Sequence, residues 1–328
     1  MKVSHLVRAV AATSILSFTS LSVAQAEELK VVSSFTIIGD MVKNVGGEHI
    51  SVTNLAGHGV DLHHFEPKPS DLKKLTGETQ LLFINGLELE PWVERLKESA
   101  GFSGETVVVS EGIKAIKFDD IHEYDQSHDH DHEHDVHPHD EAHAHEHHDE
   151  HEHHHGEWDP HAWQNPLNAV IYVNNILQAL KQVDPDNAAS YEANAADYVA
   201  EIKAVNETAQ AAFADLPKAK RRFGTNHEAF AYLAEAYDLT QVPVSGVSGA
   251  EPSAAQVAQV IEQLKEQQVS AVFFENTTNN RLIEQVARDA GVKVGGTLVA
   301  DALQKEGEGS TYLGMIKKNT ATLLEALK

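Results

Sequence analysis

The residues from Asp186 to Leu216 read DNAASYEANAADYVAEIKAVNETAQAAFADL, a stretch that contains no glycine or proline and is rich in alanine and glutamate. Alanine and glutamate are strong helix formers, and nothing inside the stretch would break a helix. Asp184-Pro185 stands where such a helix would begin, and Pro217 follows where it would end. The sequence therefore predicts one long, rigid helix, assigned to residues 185–217, that acts as a stiff connector rather than a loose hinge.

Short strand-like runs alternate with helical segments on both sides of this helix. Before it lie the candidate strands Leu29–Ser33, Ile50–Leu55, Leu81–Ile84 and Thr106–Val109, and after it lie Arg222–Thr225, Gln241–Val244, Ala271–Phe274 and Lys293–Gly296. The helical candidates include Ser70–Leu75, Ala229–Ala236, Ser253–Gln267 and Asn280–Ala290. Because strand–helix alternation is typical of parallel sheets, we predict an α/β fold with two parallel-sheet lobes, residues 27–184 and 218–328.

The N-terminal residues have the pattern of an export signal. Lys2 and Arg8 give a positive start, Ala9–Val23 form a short and mostly apolar run, and Ala24-Gln25-Ala26 supplies a small-x-small cleavage site. The apolar run is too short for a permanent membrane helix. We therefore expect residues 1–26 to be a cleaved signal peptide; an N-terminal helix of the folded domain is the alternative.

The composition argues against several classes of function. The chain has no cysteine, which rules out disulfides, thiolate metal sites and cysteine nucleophiles, and we do not expect a lipid-anchored form. A freely diffusing, exported monomer then fits the periplasm of a double-membraned bacterium. The formal net charge of -25 argues against a nucleic-acid partner, because neutralising phosphates needs clustered lysine and arginine.

Much of this negative charge lies in one tract, His128–His155, which consists almost entirely of histidine, aspartate and glutamate and contains no lysine or arginine. Such a segment has little apolar surface to bury, so we expect residues 122–156 to form a disordered loop. Histidine-rich tracts of this kind are typical of metal binding. A solvated linker and an affinity tag are the alternatives, although a tag would be a plain run of histidines near a terminus.

The tract predicts several weak metal sites rather than one defined site. Their candidate ligands are His128, His130, His132, His134, His137, His139, His143, His145, His147, His148, His151, His153, His154 and His155. The five residues from His151 to His155 also match the H-E-x-x-H pattern of metalloproteases. That pattern needs a stable helix to place both histidines on one face, and a low-complexity tract provides none, so we reject a protease site here.

Four short segments outside the tract carry stronger candidate ligands, namely His63, His161, His227 and Asp301. Three of these segments follow the end of a predicted strand, and ligands bind beyond the carboxyl ends of strands in open parallel sheets. Two lobes that face each other would bring the four residues together in an interlobe cleft. Three imidazoles and one carboxylate form a tetrahedral, nitrogen-rich shell that suits Zn²⁺. Taken singly, each histidine could equally be a capping or hydrogen-bonded surface residue.

The motifs around these residues are distinctive. DLHHFEP at residues 61–67 is similar to an Asp-Pro-His-x-Tyr-Glu-Pro motif, and DPHAWQNP at 159–166 matches Asp-Pro-His-x-Trp-x-x-Pro. TNHEAFAYL at 225–233 resembles Thr-x-His-x-Ala-Phe-x-Tyr-Leu, and Asp301 lies near a GEGSTY stretch at 307–312. In these segments the chain resembles the cluster A-I (cluster 9) solute-binding proteins, which are the metal-binding subunits of bacterial zinc and manganese ABC importers.

The resemblance covers nearly all of the mature chain and implies both a fold and a function. The implied fold has two α/β lobes joined by a backbone helix, with the metal between the lobes on His63, His161, His227 and Asp301. The implied partner is the membrane permease of an ABC transporter, to which Zn²⁺ would be delivered. A periplasmic zinc donor protein is a further partner that the resemblance leaves open.

The chain departs from the family pattern at a few positions. Leu62 stands where the family has proline, and His64 lies beside His63, so the sequence leaves open which imidazole binds. The disulfide of some zinc-specific members is absent. The histidine-rich insertion, in contrast, resembles the zinc-specific branch of the family.

Zinc is the metal that the candidate ligands favour. The manganese members of the family use two histidines and two carboxylates, whereas His227 makes this shell softer, and the Irving–Williams order places Zn²⁺ well above Mn²⁺ at such a site. We therefore predict a periplasmic, high-affinity zinc-binding protein that is not an enzyme and carries Zn²⁺ as its transported ligand. A manganese-binding importer subunit and a periplasmic zinc buffer or metallochaperone are the alternatives.

A zinc hydrolase is the rival from another functional class. It would need an open coordination position for water and a nearby base, for which Glu228 and Glu275 are candidates. However, the segment after His227 lacks the second histidine of the protease motif, and four protein ligands leave no open position. We also expect Glu228, at a predicted helix start, to point away from the metal.

Overall fold

The computed structural model describes residues 28–118, 156–244 and 253–328. The predicted signal peptide, residues 1–26, and the histidine-rich tract, His128–His155, lie outside the described residues. The segments that flank the tract meet, because Lys117 and Trp158 form an isolated antiparallel β-bridge. The Lys117 ammonium also lies 5.0 Å from the centre of the Trp158 ring. The chain therefore leaves the N-terminal lobe and returns to it at one place.

The N-terminal lobe is built on a four-stranded parallel sheet with the order β2-β1-β3-β4. Its strands are β1 Leu29–Ser33, β2 Ile50–Asn54, β3 Leu81–Ile84 and β4 Glu105–Val108. Its helices are α1 Thr36–Gly46, α2 Pro69–Leu72, α3 Val93–Ala100 and α4 Pro166–Val183. The central strands β1 and β3 are mostly buried, as expected for parallel strands with helices on both faces.

The C-terminal lobe repeats this arrangement with the strand order β6-β5-β7-β8, again all parallel. Its strands are β5 Arg222–Thr225, β6 Thr240–Pro243, β7 Ala271–Glu275 and β8 Lys293–Leu298. Its helices are α6 Ala231–Tyr237, α7 Ala254–Glu266, α8 Arg281–Ala290 and α9 Tyr312–Leu327. The carboxyl ends of its strands carry the loops that hold His227 and Asp301.

The long helix α5, Ala188–Ala214, connects the two lobes. It follows a 3₁₀ turn at Pro185–Asn187, and its buried residues fall into two groups along its length. Tyr198 and Ile202 belong to the apolar core of the N-terminal lobe, whereas Ala209 and Phe213 belong to that of the C-terminal lobe. One continuous helix therefore contributes to both cores, which ties the positions of the lobes to a single rigid element.

The fold class predicted from the sequence is confirmed, with two parallel-sheet α/β lobes joined by a long helix. All eight predicted strands are present, with ends that shift by at most two residues. The helix predicted at Ala229–Ala236 begins two residues later, at Ala231, so His227 and Glu228 lie in a loop. Within the three described ranges, no helix is both long and apolar enough to cross a membrane.

Candidate metal centre

His63 lies in the connection between β2 and α2, and apolar neighbours fix this loop in the N-terminal lobe. Leu62 is buried in the core of the lobe, and the Phe65 ring packs against Trp92 with ring centres 5.1 Å apart. The backbone amide of His63 donates to Asp61 Oδ1 at 3.0 Å. The leucine that replaces the family's proline therefore serves as an anchor for the loop.

His161 is oriented by the aspartate two residues before it. Asp159 Oδ1 accepts hydrogen bonds from the backbone amide of His161 at 2.9 Å and from its Nδ1 at 2.6 Å. Both residues are almost fully buried. Because Nδ1 is engaged by the carboxylate, Nε2 is left with its lone pair available to a metal.

Both lobes hold the segment that carries His161. Tyr232, in the C-terminal lobe, donates from its hydroxyl to the Asp159 carbonyl at 2.9 Å. Asn85, at the end of β3, donates from Nδ2 to the Pro160 carbonyl at 2.9 Å. Trp163 Nε1 reaches the Ala300 carbonyl across the lobe boundary at 3.1 Å. These bonds place His161 where the two lobes meet.

His227 is held in the same manner by Glu275, the last residue of β7. The backbone amide of His227 donates to Glu275 Oε1 at 2.9 Å, and its Nδ1 is hydrogen-bonded to Glu275 Oε2. Thr225, at the end of β5, donates from its hydroxyl to the His227 carbonyl at 2.9 Å. Nε2 of His227 is therefore directed into the cleft, as is Nε2 of His161.

The four residues His63, His161, His227 and Asp301 come together between the lobes, with one ligand atom of each within 4.8 Å of the others. Nε2 of His63 and of His161 are 3.1 Å apart. Asp301 Oδ1 lies 3.4 Å from His161 Nε2, and Asp301 Oδ2 lies 3.5 Å from His227 Nε2. Bonds of about 2.1 Å in a tetrahedral site put neighbouring ligand atoms about 3.4 Å apart.

Several of these atoms are buried without a hydrogen-bond partner among the described residues. They are His227 Nε2 and both carboxylate oxygens of Asp301. Buried polar atoms are normally hydrogen-bonded, so such a group calls for an explanation. A cation between the four side chains would satisfy all of these atoms at once.

The adjacent histidines His63 and His64 lie in different surroundings. His63 lies in the group of four, whereas the His64 side chain is 66% exposed and pairs with Asp61 through Nδ1 at 3.0 Å. Glu228 is not part of the group. Sequence reasoning considered Glu275 only as a base and did not recognise its role in orienting His227. The signal in the sequence that could have revealed this role was the position of Glu275, a carboxylate at the end of a strand.

Comparison with known proteins bears directly on this site. Residues 31–326 match the family described as ZnuA, zinc-uptake complex component A, periplasmic. The chain belongs to the ZnuA family. The family resemblance found in the sequence is therefore confirmed, while the zinc-specific branch within it is not established.

Relatives of this ZnuA-family chain carry names that refer mostly to manganese. The manganese-binding lipoprotein MntA of Halalkalibacterium halodurans is 31% identical over 303 residues, covering 92% of this chain and 89% of MntA. The manganese ABC transporter substrate-binding lipoprotein PsaA of Streptococcus pneumoniae is 28% identical over 314 residues, covering 93% of this chain and 91% of PsaA.

Solved structures show the same fold. The Mn-bound periplasmic metal binding protein from Candidatus Liberibacter asiaticus superimposes with a TM-score of 0.74 and 26% identity, covering 92% of this chain and 100% of that one. The periplasmic zinc binding protein TroA from Treponema pallidum gives a TM-score of 0.73 at 24% identity, covering 92% of this chain and 99% of that one. At that identity TroA is informative for the fold alone.

The electrostatics of the site differ sharply between two of its histidines. Loss of solvation beside the other lobe, together with the neighbouring imidazoles, lowers the pKa of His63 below its usual value, although the residue keeps an exposed face; Asp301 opposes this shift only in part. Burial also disfavours the charged form of His227, but the carboxylates of Glu275 and Asp301 outweigh it and raise its pKa well above the usual value. Burial opposes ionisation of Asp301, yet His227 and the other imidazoles keep its pKa below normal.

We predict that Zn²⁺ binding at pH 7 releases the proton of His227, which the metal must displace, whereas His63 is already neutral. Affinity should rise with pH above the ordinary histidine value of about 6.5 and level off only at the raised pKa of His227. Calorimetric titrations in buffers of different ionisation heat would measure the released proton.

The variant Glu275→Gln provides the comparison. It removes a carboxylate that stabilises protonated His227, so fewer protons should be released at pH 7. His64→Ala serves as the control and should match the unmodified protein. Equal proton release from all three proteins would contradict this assignment of the proton.

Proposed function

We propose that this chain is the periplasmic, high-affinity zinc-binding subunit of an ABC-type importer, and that it captures Zn²⁺ with His63, His161, His227 and Asp301. The observation that carries the proposal is the convergence of the four side chains, with one ligand atom of each within 4.8 Å of the others. Three pairs of side chains approach to 3.1, 3.4 and 3.5 Å, the last two through different oxygens of Asp301. Separations of this size are close to the distance between neighbouring ligand atoms in a tetrahedral site. Membership of the ZnuA family supports the same function.

The choice of zinc rests on the chemistry of the ligands. Three imidazole nitrogens and one carboxylate oxygen suit Zn²⁺, and such sites bind Zn²⁺ more tightly than Mn²⁺. Mn²⁺ is the second candidate, because MntA and PsaA are named for manganese. Carboxylates favour the harder Mn²⁺ ion, and this site has only one carboxylate among its four proposed ligands.

A transported ion must be held firmly and still be released, and the geometry is consistent with both needs. His161 and Asp301 are buried, whereas the His227 side chain is 22% exposed and His63 lies on the exposed side of the group. The ion would therefore enter and leave past His63 and His227. Four protein ligands leave no position for a reactive water, which disfavours a hydrolase.

The remaining parts of the proposal concern location and partners. Cleavage of residues 1–26 would release the protein into the periplasm, where a membrane permease would receive the ion. A zinc buffer or metallochaperone without a permease is the alternative. Growth of a deletion strain in chelated medium distinguishes the two, because an importer subunit is required chiefly when zinc is scarce.

The proposed ligand set predicts the effect of single alanine substitutions. Replacing His63, His161 or His227 should each weaken Zn²⁺ binding more than tenfold, which corresponds to about 1.4 kcal/mol or more. Asp301→Ala should cost less, because water can take the vacant position. His64→Ala should leave affinity nearly unchanged. Competition with a chelator of known affinity measures each variant, and elemental analysis gives the bound metal; a larger loss in His64→Ala than in His63→Ala would contradict the set.

Metal preference should change when the nitrogen ligand at position 227 becomes an oxygen ligand. The double variant His227→Glu with Glu275→Gln avoids two adjacent carboxylates and offers two imidazoles and two carboxylates to the ion. The ratio of Mn²⁺ to Zn²⁺ affinity should rise about tenfold or more. Glu275→Gln alone is the control, and a ratio unchanged from that control would show that the ligand type does not set the preference.

The histidine-rich tract predicts additional weak binding that is independent of the cleft. The mature protein should bind one Zn²⁺ tightly and further ions weakly, and deletion of His128–His155 should remove only the weak binding. Equilibrium titration of both proteins measures the two classes of site. Loss of the tight site on deletion would place the principal site in the tract and would refute the cleft proposal.

A further inference from the structure

Asp301 differs from its neighbours in how its side chain is held. His161 and His227 each have an Nδ1 engaged by a carboxylate, which orients the ring. The carboxylate oxygens of Asp301, in contrast, have no hydrogen-bond partner in the described parts of the chain. The position of this carboxylate therefore depends on the backbone that carries it and on the rings of His161 and His227, whose Nε2 atoms lie 3.4 and 3.5 Å away.

Asn276 holds that backbone on both sides of Asp301. Its Oδ1 accepts from the Ala300 amide at 3.0 Å, and its Nδ2 donates to the Ala302 carbonyl at 2.7 Å. Both alanines are fully buried, so water cannot easily replace these bonds. One side chain thus binds the backbone on each side of Asp301, at the amide of the residue before it and the carbonyl of the residue after it.

Asn280 performs the equivalent task for the partner of His227. Its Oδ1 accepts from the Glu275 amide at 3.0 Å, and its Nδ2 donates to the Glu275 carbonyl at 3.0 Å. Glu275 is itself buried and hydrogen-bonds both the backbone amide and Nδ1 of His227. Asn280 therefore controls the position of His227 through one intermediate residue.

We propose that Asn276 and Asn280 are separate positioning residues of the metal site, with Asn276 acting through Asp301 and Asn280 acting through Glu275 on His227. This inference rests on the proposed function, since it assumes that Asp301 and His227 bind the ion. The short segment from Glu275 to Asn280 then governs two of the four proposed ligands. Residues that hold metal ligands in place contribute about tenfold to a hundredfold to affinity.

Double-mutant cycles test the proposal, because a residue that acts only through a ligand has no effect once that ligand is removed. Asn276→Ala should weaken Zn²⁺ binding in the full protein by up to about tenfold, and by no more than Asp301→Ala does, and it should have no further effect in Asp301→Ala. In His227→Ala its effect should persist. Asn280→Ala should show the reverse pattern, losing its effect in His227→Ala and keeping it in Asp301→Ala.

Asn319→Ala is a matched control for the loss of backbone hydrogen bonds. Asn319 also makes two bonds, both of 2.8 Å, to the amide and carbonyl of Val299, which lies two residues before Asp301. This variant should lower the thermal stability of the metal-free protein, as Asn276→Ala should, with a smaller loss of affinity. The absorption spectrum of the Co²⁺-loaded protein reports the coordination geometry of the site. The spectrum of Asn276→Ala should resemble that of Asp301→Ala.

The outcomes separate the two proposals. If Asp301→Ala or His227→Ala leaves affinity unchanged, the proposed ligand set fails. Those variants could weaken binding while each asparagine substitution still has its full effect on affinity in both of them. In that case the positioning proposal fails and the asparagines are only structural. Should Asn276→Ala not fold, Asn276→Asp keeps an acceptor for the Ala300 amide and loses the donor to Ala302, and the same cycles apply to it.

Discussion

Three imidazole nitrogens and a carboxylate oxygen lie within 4.8 Å of one another between the lobes, and such an arrangement is costly without a cation. Left to themselves, the side chains would rotate to find hydrogen-bond partners. Asp159 and Glu275 hold the far sides of two of the imidazole rings, and Asn276 holds the backbone around the carboxylate-bearing residue. These bonds prevent that rotation. Much of the architecture can be understood as the means by which this group is held together.

Contacts between the two lobes help to hold the four side chains together. Helix α5 contributes to both apolar cores, and Tyr232 of the C-terminal lobe supports the segment that carries His161. Trp163 makes the reciprocal contact with Ala300, beside Asp301. Because each lobe fixes ligands of the other, the four side chains depend on both lobes for their positions.

The sequence was sufficient to predict the layers of the fold and the residues of the group, and structure was needed for the rest. Strands such as Leu81–Ile84 are continuous apolar runs that a parallel sheet explains, and alternation with helices gave the fold class. Coordinates were needed to see that His63, and not His64, lies in the group, because two adjacent histidines differ in side-chain direction and not in chemistry. Asn276 could not be recognised, since its partners Ala300 and Ala302 lie more than twenty residues away.

The ligands of the proposed site are nitrogen and oxygen atoms, in a chain without a single cysteine. Thiolate sites lose their metal when sulfur is oxidised, and disulfide-stapled folds weaken when they are reduced. Neither reaction is available here. Metal occupancy would therefore follow acidity and free metal concentration, and it would not change through thiol oxidation or disulfide reduction.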